Sequence, residues 1–310
     1  MAENYDLDVV ANVKPHRRKV GWDTISLKIL AYVFIGLFAI ICVLPFYLII
    51  IASFTKESQL IRTGYPMLLT EPTVEAYKLV IKNPQQILQA YGVTIFVTVV
   101  GTFLSLFMAT MTGYVLSRKD FPWRNKFAFF FFFTTLFSGG LVPSFMICTR
   151  YLGFKNNILA LILPMMFSVW NMIISKTFIS NIPSAITESA KIDGANDFLI
   201  YFKLILPLSK PLLATLGLFS ALAYWNEWYN CMLYIDKDRL YMLQYYLQRI
   251  LSSADAMKKA AEKSGLPITS VPLESMKMAM TVIATGPIIL LYPAVQRYFV
   301  KGLTIGAVKG

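Results

Sequence analysis

The sequence predicts an all-α membrane protein with six transmembrane helices, on three observations. The first is composition: of 310 residues, 56% are hydrophobic and only 15% charged, with a mean hydropathy of +0.58. A soluble domain carries about 25% charged residues, so most of this surface meets something other than water. The second is a set of six mainly apolar stretches, each long enough to cross a ~30 Å hydrocarbon core at ~1.5 Å per helical residue. The third is the position of the short basic segments, which agree on one orientation.

The elements follow in chain order. Residues 1–26 form a basic, polar arm carrying Lys14, His16, Arg17, Arg18 and Lys19, and its histidine is expected to be solvated. The first span, 27–54, is too long for the apolar core of a signal peptide and is not followed by a small-residue cleavage site, so it reads as an uncleaved anchor. The second runs from Gly92 to Leu116 and the third from Phe127 to Thr149. The third contains the unbroken run Phe129 to Phe133, which suits a lipid-facing surface. The fourth runs from Ile158 to Ile179, the fifth from Leu212 to Leu233 and the sixth from Met278 to Phe299. Gly286, Pro287 and Pro293 are expected to interrupt the sixth, either beside a transport pathway or as a packing kink.

Basic residues precede the first span, and Arg118, Lys119, Arg124 and Lys126 lie between the second and third. Both segments belong on the cytoplasmic side by the positive-inside rule. Six spans then leave both termini cytoplasmic, together with the connection 181–211 between spans four and five. Two long segments fall outside, 55–91 and 234–277. The latter holds the alanine-rich helix formers Ala254 to Lys263. These segments are solvated loops, or lids and docking surfaces for a partner.

Several function classes are disfavoured. The net charge of +12 is spread along the chain, whereas nucleic-acid binding calls for a clustered basic patch. Cys42, Cys148 and Cys231 are odd in number and have no metal-ligand spacing, so they read as small buried hydrophobes. With one histidine and no nucleophile motif, no catalytic residue and no metal site are expected. The chain has no Gly-x-x-x-x-Gly-Lys-Ser/Thr loop, nor any Gly-Lys dipeptide, and so lacks the usual ATP phosphate cradle.

The segment 181–211 carries the most information. Pro183 suits the first turn of a helix, and the residues after it are helix-compatible up to Gly194, which can take the left-handed conformation that ends one. Asn196 or Asp197 can cap a second helix, expected to stop at Pro207 and Pro211. Ala185, Ser189 and Ala190 keep one side of the first helix thin, as needed to lie deep in a groove of another protein. An ordinary cytoplasmic helical hairpin has the same local pattern.

The segment resembles the signature loop of binding-protein-dependent ABC importer permeases: a Glu-Ala-Ala triplet, a glycine four residues on, then a spaced Ile-x-Leu-Pro. Here the triplet is Glu188-Ser189-Ala190, the glycine Gly194, and the ending Leu204-Ile205-Leu206-Pro207. Serine for the middle alanine and leucine for isoleucine are departures conservative in size. Trp225-Asn226-Glu227-Trp228 and the ending 298–310 resemble the second permease of carbohydrate importers of the maltose-transporter kind. The long outer segment and the run 274–279 resemble the subgroup handling complex oligosaccharides such as aldouronates.

The resemblance implies a type I importer permease fold: a core 92–300 with a cytoplasmic coupling-helix loop, spans two to six forming that core, and span one outside it. It implies that Glu188, Ser189, Ala190, Asp193, Gly194 and Pro207 couple to ATPase subunits. The tail 301–310, through Gly302, Gly306 and Lys309, would contact the same subunits. Expected partners are a homologous second permease, two ATPase subunits or a homodimeric ATPase, and an extracellular solute-binding protein delivering an oligosaccharide. All would assemble in the lipid of a bacterial inner membrane. ATP and Mg would be bound by the ATPase subunits, and no cofactor by this chain.

A substrate pathway is sketched by Trp225, Asn226, Glu227 and Trp228, where a carboxylate in a span is costly and usually faces a cavity or partner. The same four residues also fit an interfacial aromatic belt. Trp170 and Asn171 form a similar, smaller set. A proton-coupled secondary transporter is the main competing reading, although the spans offer little beyond Glu227 for a proton relay. A permease for a non-sugar solute is another.

Overall fold

The computed structural model describes residues 22–82, 84–264 and 272–289, and no β-strand occurs among them. Helix α1 (Trp22–Ser53) is apolar all round and buries nothing against the rest of the chain until Ala52 and Ser53 at its end. Such a helix belongs in lipid. Only its end is tied in: the Ser53 and Tyr77 hydroxyls lie 2.9 Å apart and Phe54 stacks on Tyr77 at 4.9 Å. Two short helices follow, α2 (Glu57–Thr63) and α3 (Glu75–Val80).

Helix α4 (Pro84–Ser117) is the spine, 34 residues long, or about 51 Å at the usual rise. It starts at Pro84, a residue pre-set for a first helical turn, rather than at Gly92. The other elements are α5 (Arg124–Leu136), α6 (Leu141–Met146) with a π turn Ile147–Tyr151, and α7 (Leu159–Ile162) with a 3₁₀ turn Leu163–Met165. Next come α8 (Val169–Ser180), α9 (Ser184–Ile192) and α10 (Asp197–Ile200), the last followed by a π turn Tyr201–Ile205 and α11 (Leu206–Leu208). The chain continues through α12 (Lys210–Trp225), α13 (Tyr229–Tyr234), α14 (Leu243–Ser264) and α15, residues 273–289.

Helices α8 and α12 pack along α4 through small residues, the usual way helices approach closely in a membrane. A Cβ on Gly101 would sit 2.5 Å from the Tyr224 ring, and one on Gly113 would sit 2.6 Å from Ser175 Cβ. Three polar side chains trapped in this contact pair with one another. Asn171 Nδ2 donates to Ser220 Oγ at 3.2 Å, and Ser220 Oγ lies 3.3 Å from Ser105 Oγ.

Three of the expected spans are not single straight helices. The third is α5 and α6, bent by 110° at Phe137–Gly140, where Gly140 has a φ of +87° that a glycine adopts without strain. The fourth bends by 49° between the 3₁₀ turn and α8, whose first turn is capped by Ser168 accepting from Asn171 N. The fifth ends at Trp225; residues 226–228 leave the helix before α13 begins.

The expected break at Gly286-Pro287 is absent, since the chain is helical through 273–289. Proline removes the N–H that would pair with the carbonyl four residues back, here Ile283. Tyr91 Oη donates to that carbonyl at 2.7 Å, and Trp225 Nε1 donates to the next one, Ala284 O, at 3.0 Å. Neighbouring side chains thus satisfy the backbone around the proline, as a helix in lipid requires. Pro293 lies outside the described residues.

The segment 234–277 is not simply a solvated loop. Leu243, Tyr246, Leu247 and Ala254 of α14 are buried in the core that holds Ala90 and Val97 of α4. The Leu243 N–H donates to Thr94 Oγ1 at 2.8 Å. At the start of α15 the Glu57 carboxylate accepts from the backbone N–H groups of Glu274 and Ser275, each at 3.0 Å. A carboxylate in that place satisfies free helix donors.

Candidate functional site

At the Ser117 end of α4, residues 181–211 form a helical hairpin. Pro183 precedes α9, and Gly194 ends it with a φ of +80°. The Ala195 N–H reaches back to Ala190 O at 2.9 Å, a left-handed C-terminal cap. Asn196 caps α10, its Oδ1 accepting from Leu199 N at 2.8 Å.

Pro207 does not stop the second arm, contrary to the sequence expectation. The chain stays helical through Leu208, because the preceding turn widens to a π turn in which the Leu206 N–H bonds Tyr201 O. That widening accommodates a proline that cannot pair with Lys203 O. The arm ends at Ser209, and α12 leaves at 82° with Pro211 in its first turn.

The two arms of the hairpin are held differently. The second arm buries Ile200, Tyr201 and Ile205 with Tyr114 of α4 and Leu212 and Leu216 of α12. The Tyr201 hydroxyl lies 2.8 Å from Thr110 Oγ1. By contrast, α9 buries no residue, and only Ala190 and, just beyond it, Ala195 touch this cluster. Ile192 at its end is 87% exposed and Phe198 63%.

Charged groups tie both arms to the end of α4. Arg118 bonds Asp120 and Asp197, and it donates to the Tyr114 hydroxyl at 3.2 Å. Lys191 of α9 reaches Asp120 at 2.9 Å. Arg118 and, after it, Lys191 hold the Asp120 carboxyl well below the usual carboxylate range. Arg118 and Glu188 line the same cleft of about 430 Å³ between α4 and α9. Sequence reasoning used Arg118 only for orientation and missed Asp120 and Lys191. The signal available was an arginine and an aspartate just beyond the predicted end of a span.

Of the predicted coupling residues, Glu188, Ser189 and Ala190 lie on α9, Asp193 and Gly194 in its cap, and Pro207 in α11. Gly302, Gly306 and Lys309 lie outside the described residues.

The predicted pathway residues sit toward the other end of α4. Trp225 is buried, its indole N–H committed to α15. Asn226, Glu227 and Trp228 occupy the break between α12 and α13. Asn226 Oδ1 accepts from Gln244 Nε2 at 3.2 Å, and Glu227 Oε1 accepts from Asn230 N at 2.6 Å, capping α13. Trp228 is 45% exposed and meets Tyr229 edge-on at 5.9 Å. Asn171 is buried on Ser220, whereas Trp170 next to it is 69% exposed. Among the described residues no group of three or more His, Cys, Asp or Glu is placed to hold a metal ion.

Among the described residues the chain is mainly helical, with long exposed apolar helices and, at one end of its spine, a hairpin whose first helix is exposed, an architecture that suits a membrane subunit. It belongs to the family of binding-protein-dependent transport system inner membrane components, whose model matches residues 101–305, and is therefore a permease subunit of an ABC importer rather than an enzyme. It is 40% identical over 281 residues to the polygalacturonan/rhamnogalacturonan transport system permease protein YtcP of Bacillus subtilis (strain 168), covering 91% of this chain and 97% of that one. Protein LplC of the same organism is 38% identical over 279 residues, covering 89% and 92%. Among solved structures, a bacterial ABC transporter involved in the import of the acidic polysaccharide alginate contains a chain 28% identical to this one. The two superpose with a TM-score of 0.73 over 90% of this chain and 98% of that one.

Proposed function

We propose that this chain carries oligosaccharides across a bacterial inner membrane, and that α9 transmits ATP-driven closure of separate ATPase subunits to the membrane helices. The observation that carries the reading is the contrast within the hairpin. Its first helix buries no residue and ends at the exposed Ile192, while its second is packed into α4 and α12. A helix presented in this way fits a groove of another protein, and a push on it is delivered to the spine through Arg118, Asp120 and Lys191. Glu188, Ser189, Ala190, Asp193 and Gly194 make the docking face, and the Pro207 turn passes its motion to α12.

The same reading calls for a homologous second permease and an extracellular solute-binding protein. ATP and Mg are bound by the ATPase subunits, which Gly302, Gly306 and Lys309 also contact. It places six spans in the membrane with both termini cytoplasmic. The substrate class is supported by the relatives named for polygalacturonan, rhamnogalacturonan and arabinooligosaccharide transport and by the alginate importer.

The test is uptake in vesicles carrying the whole importer. Glu188→Lys and Gly194→Trp are expected to abolish ATP-dependent uptake that survives an uncoupler in the wild type, while sugar capture by the binding protein stays intact. Normal uptake in both variants overturns the coupling role. Collapse of wild-type uptake on adding the uncoupler favours a proton-coupled carrier instead.

A further inference from the structure

A groove of about 230 Å³ runs between α14 and α15. Its walls are two facing polar stripes: Gln244 and Gln248 on α14, one turn apart, and Lys277, Thr281 and Thr285 on α15, each one turn from the next. Leu247 and Met280 contribute apolar surface between them. The groove begins where the helix break ends, since Gln244 donates to Asn226 Oδ1 at 3.2 Å. Its other members are only partly committed. Lys277 pairs with Glu274 at 2.7 Å, which leaves two of its three donors. Thr281 and Thr285 donate to the carbonyls one turn back and keep lone pairs to accept.

These side chains keep donors and acceptors beyond the bonds just named, which hydrocarbon would leave unmet. Such a strip is stable facing water and a polar solute. The strip offers both donors and acceptors, and the Lys277–Glu274 ion pair carries no net charge. The match is therefore to hydroxyls on a partly apolar ring rather than to an isolated carboxylate. The volume is below the ~300–1,000 Å³ of pockets for drug-sized ligands, so it takes one ring of a chain.

We propose that this groove is a saccharide subsite of the translocation pathway, holding the hydroxyls of one sugar ring and continuing from Asn226 in the break. It rests on the oligosaccharide-import reading above. Gln248 and Thr281 bind the ring, and the wall from Leu247 to Met280 takes its apolar face.

The experiment measures ATP-dependent uptake of trigalacturonate and of maltotriose by the complete importer with its binding protein in proteoliposomes. Gln248→Leu and Thr281→Val are expected to raise the KM of the transported trisaccharide about three- to tenfold each, the worth of one hydrogen bond. Thr281→Ser should restore it, and the second permease should copurify as before. Unchanged KM in both variants overturns the subsite. Loss of the second permease from the purified complex also overturns it, showing the groove to be a subunit interface. ATP-dependent uptake of neither trisaccharide by the wild type defeats the oligosaccharide reading, and the subsite with it.

Discussion

The two ends of α4 are held by different physics. Toward Pro84, buried or half-buried aromatics place single polar atoms on backbone carbonyls: Tyr91 on Ile283, Trp225 on Ala284, and Tyr224 on Ile162 at 2.9 Å. Toward Ser117 the second arm of the hairpin is buried against the spine, but α9 is tied to it by an ion pair between exposed groups, Lys191 with Asp120. Desolvated bonds of the first kind leave an orphaned group behind when one partner is removed. Exposed ion pairs are worth only about 0.2–1 kcal/mol each and weaken with salt. One end of the spine is fixed, and at the other α9 is attached through a link that can be re-made as that helix moves.

The strongest test of that contrast is Tyr224→Ala. The side chain is 1% exposed and fills the contact against Gly101, so its loss is expected to destabilise the chain by about 3–5 kcal/mol. Thermal unfolding in detergent, followed by tryptophan fluorescence, measures it; a shift no larger than that of a hairpin variant would erase the contrast. At the other end, Asn196→Ala removes the cap of α10 and should cost about 1 kcal/mol. Its signature is faster hydrogen exchange at Leu199 and its neighbours, with Asn196→Asp behaving as wild type.

The smallest effect is acid sensitivity at Asp120. Because its carboxyl is held low by Arg118 and Lys191, its stabilising contribution is complete above about pH 4, the ordinary carboxylate value, and fades as pH falls further. Lowering pH below 4 should loosen α9 before the Tyr224 region, and Asp120→Asn should remove that difference. Protease nicking within 184–197 reads it out.

Much of the hairpin was legible because its signals are local. Gly194 acts through its own backbone and Asn196 through a side chain bonded three residues on, and both do what a left-handed cap and an N-cap require. Pro207 was misread because its effect depends on whether the preceding turn widens, which five residues of ordinary helix formers do not announce. Pro287 was misread for a longer-range reason: its breaking effect is cancelled by Tyr91, far away in sequence. The straight third span failed at residues 137–140, where apolar length outweighed two adjacent glycines. Trp225 was singled out as an aromatic beside Glu227, and Glu227 as a costly carboxylate in a span. Each has a specific partner, the first on α15 and the second on α13, and only coordinates bring those partners into view.

The two glycines of α4 limit how this molecule can move. At Gly113 the atoms in the way include the Lys176 backbone nitrogen, 2.9 Å from where a Cβ would be, and backbone cannot step aside. With Gly101 seated under Tyr224, α4, α8 and α12 are pinned against sliding at two points along the spine. On the coupling reading proposed above, a stroke received at α9 would move α4, α8 and α12 together.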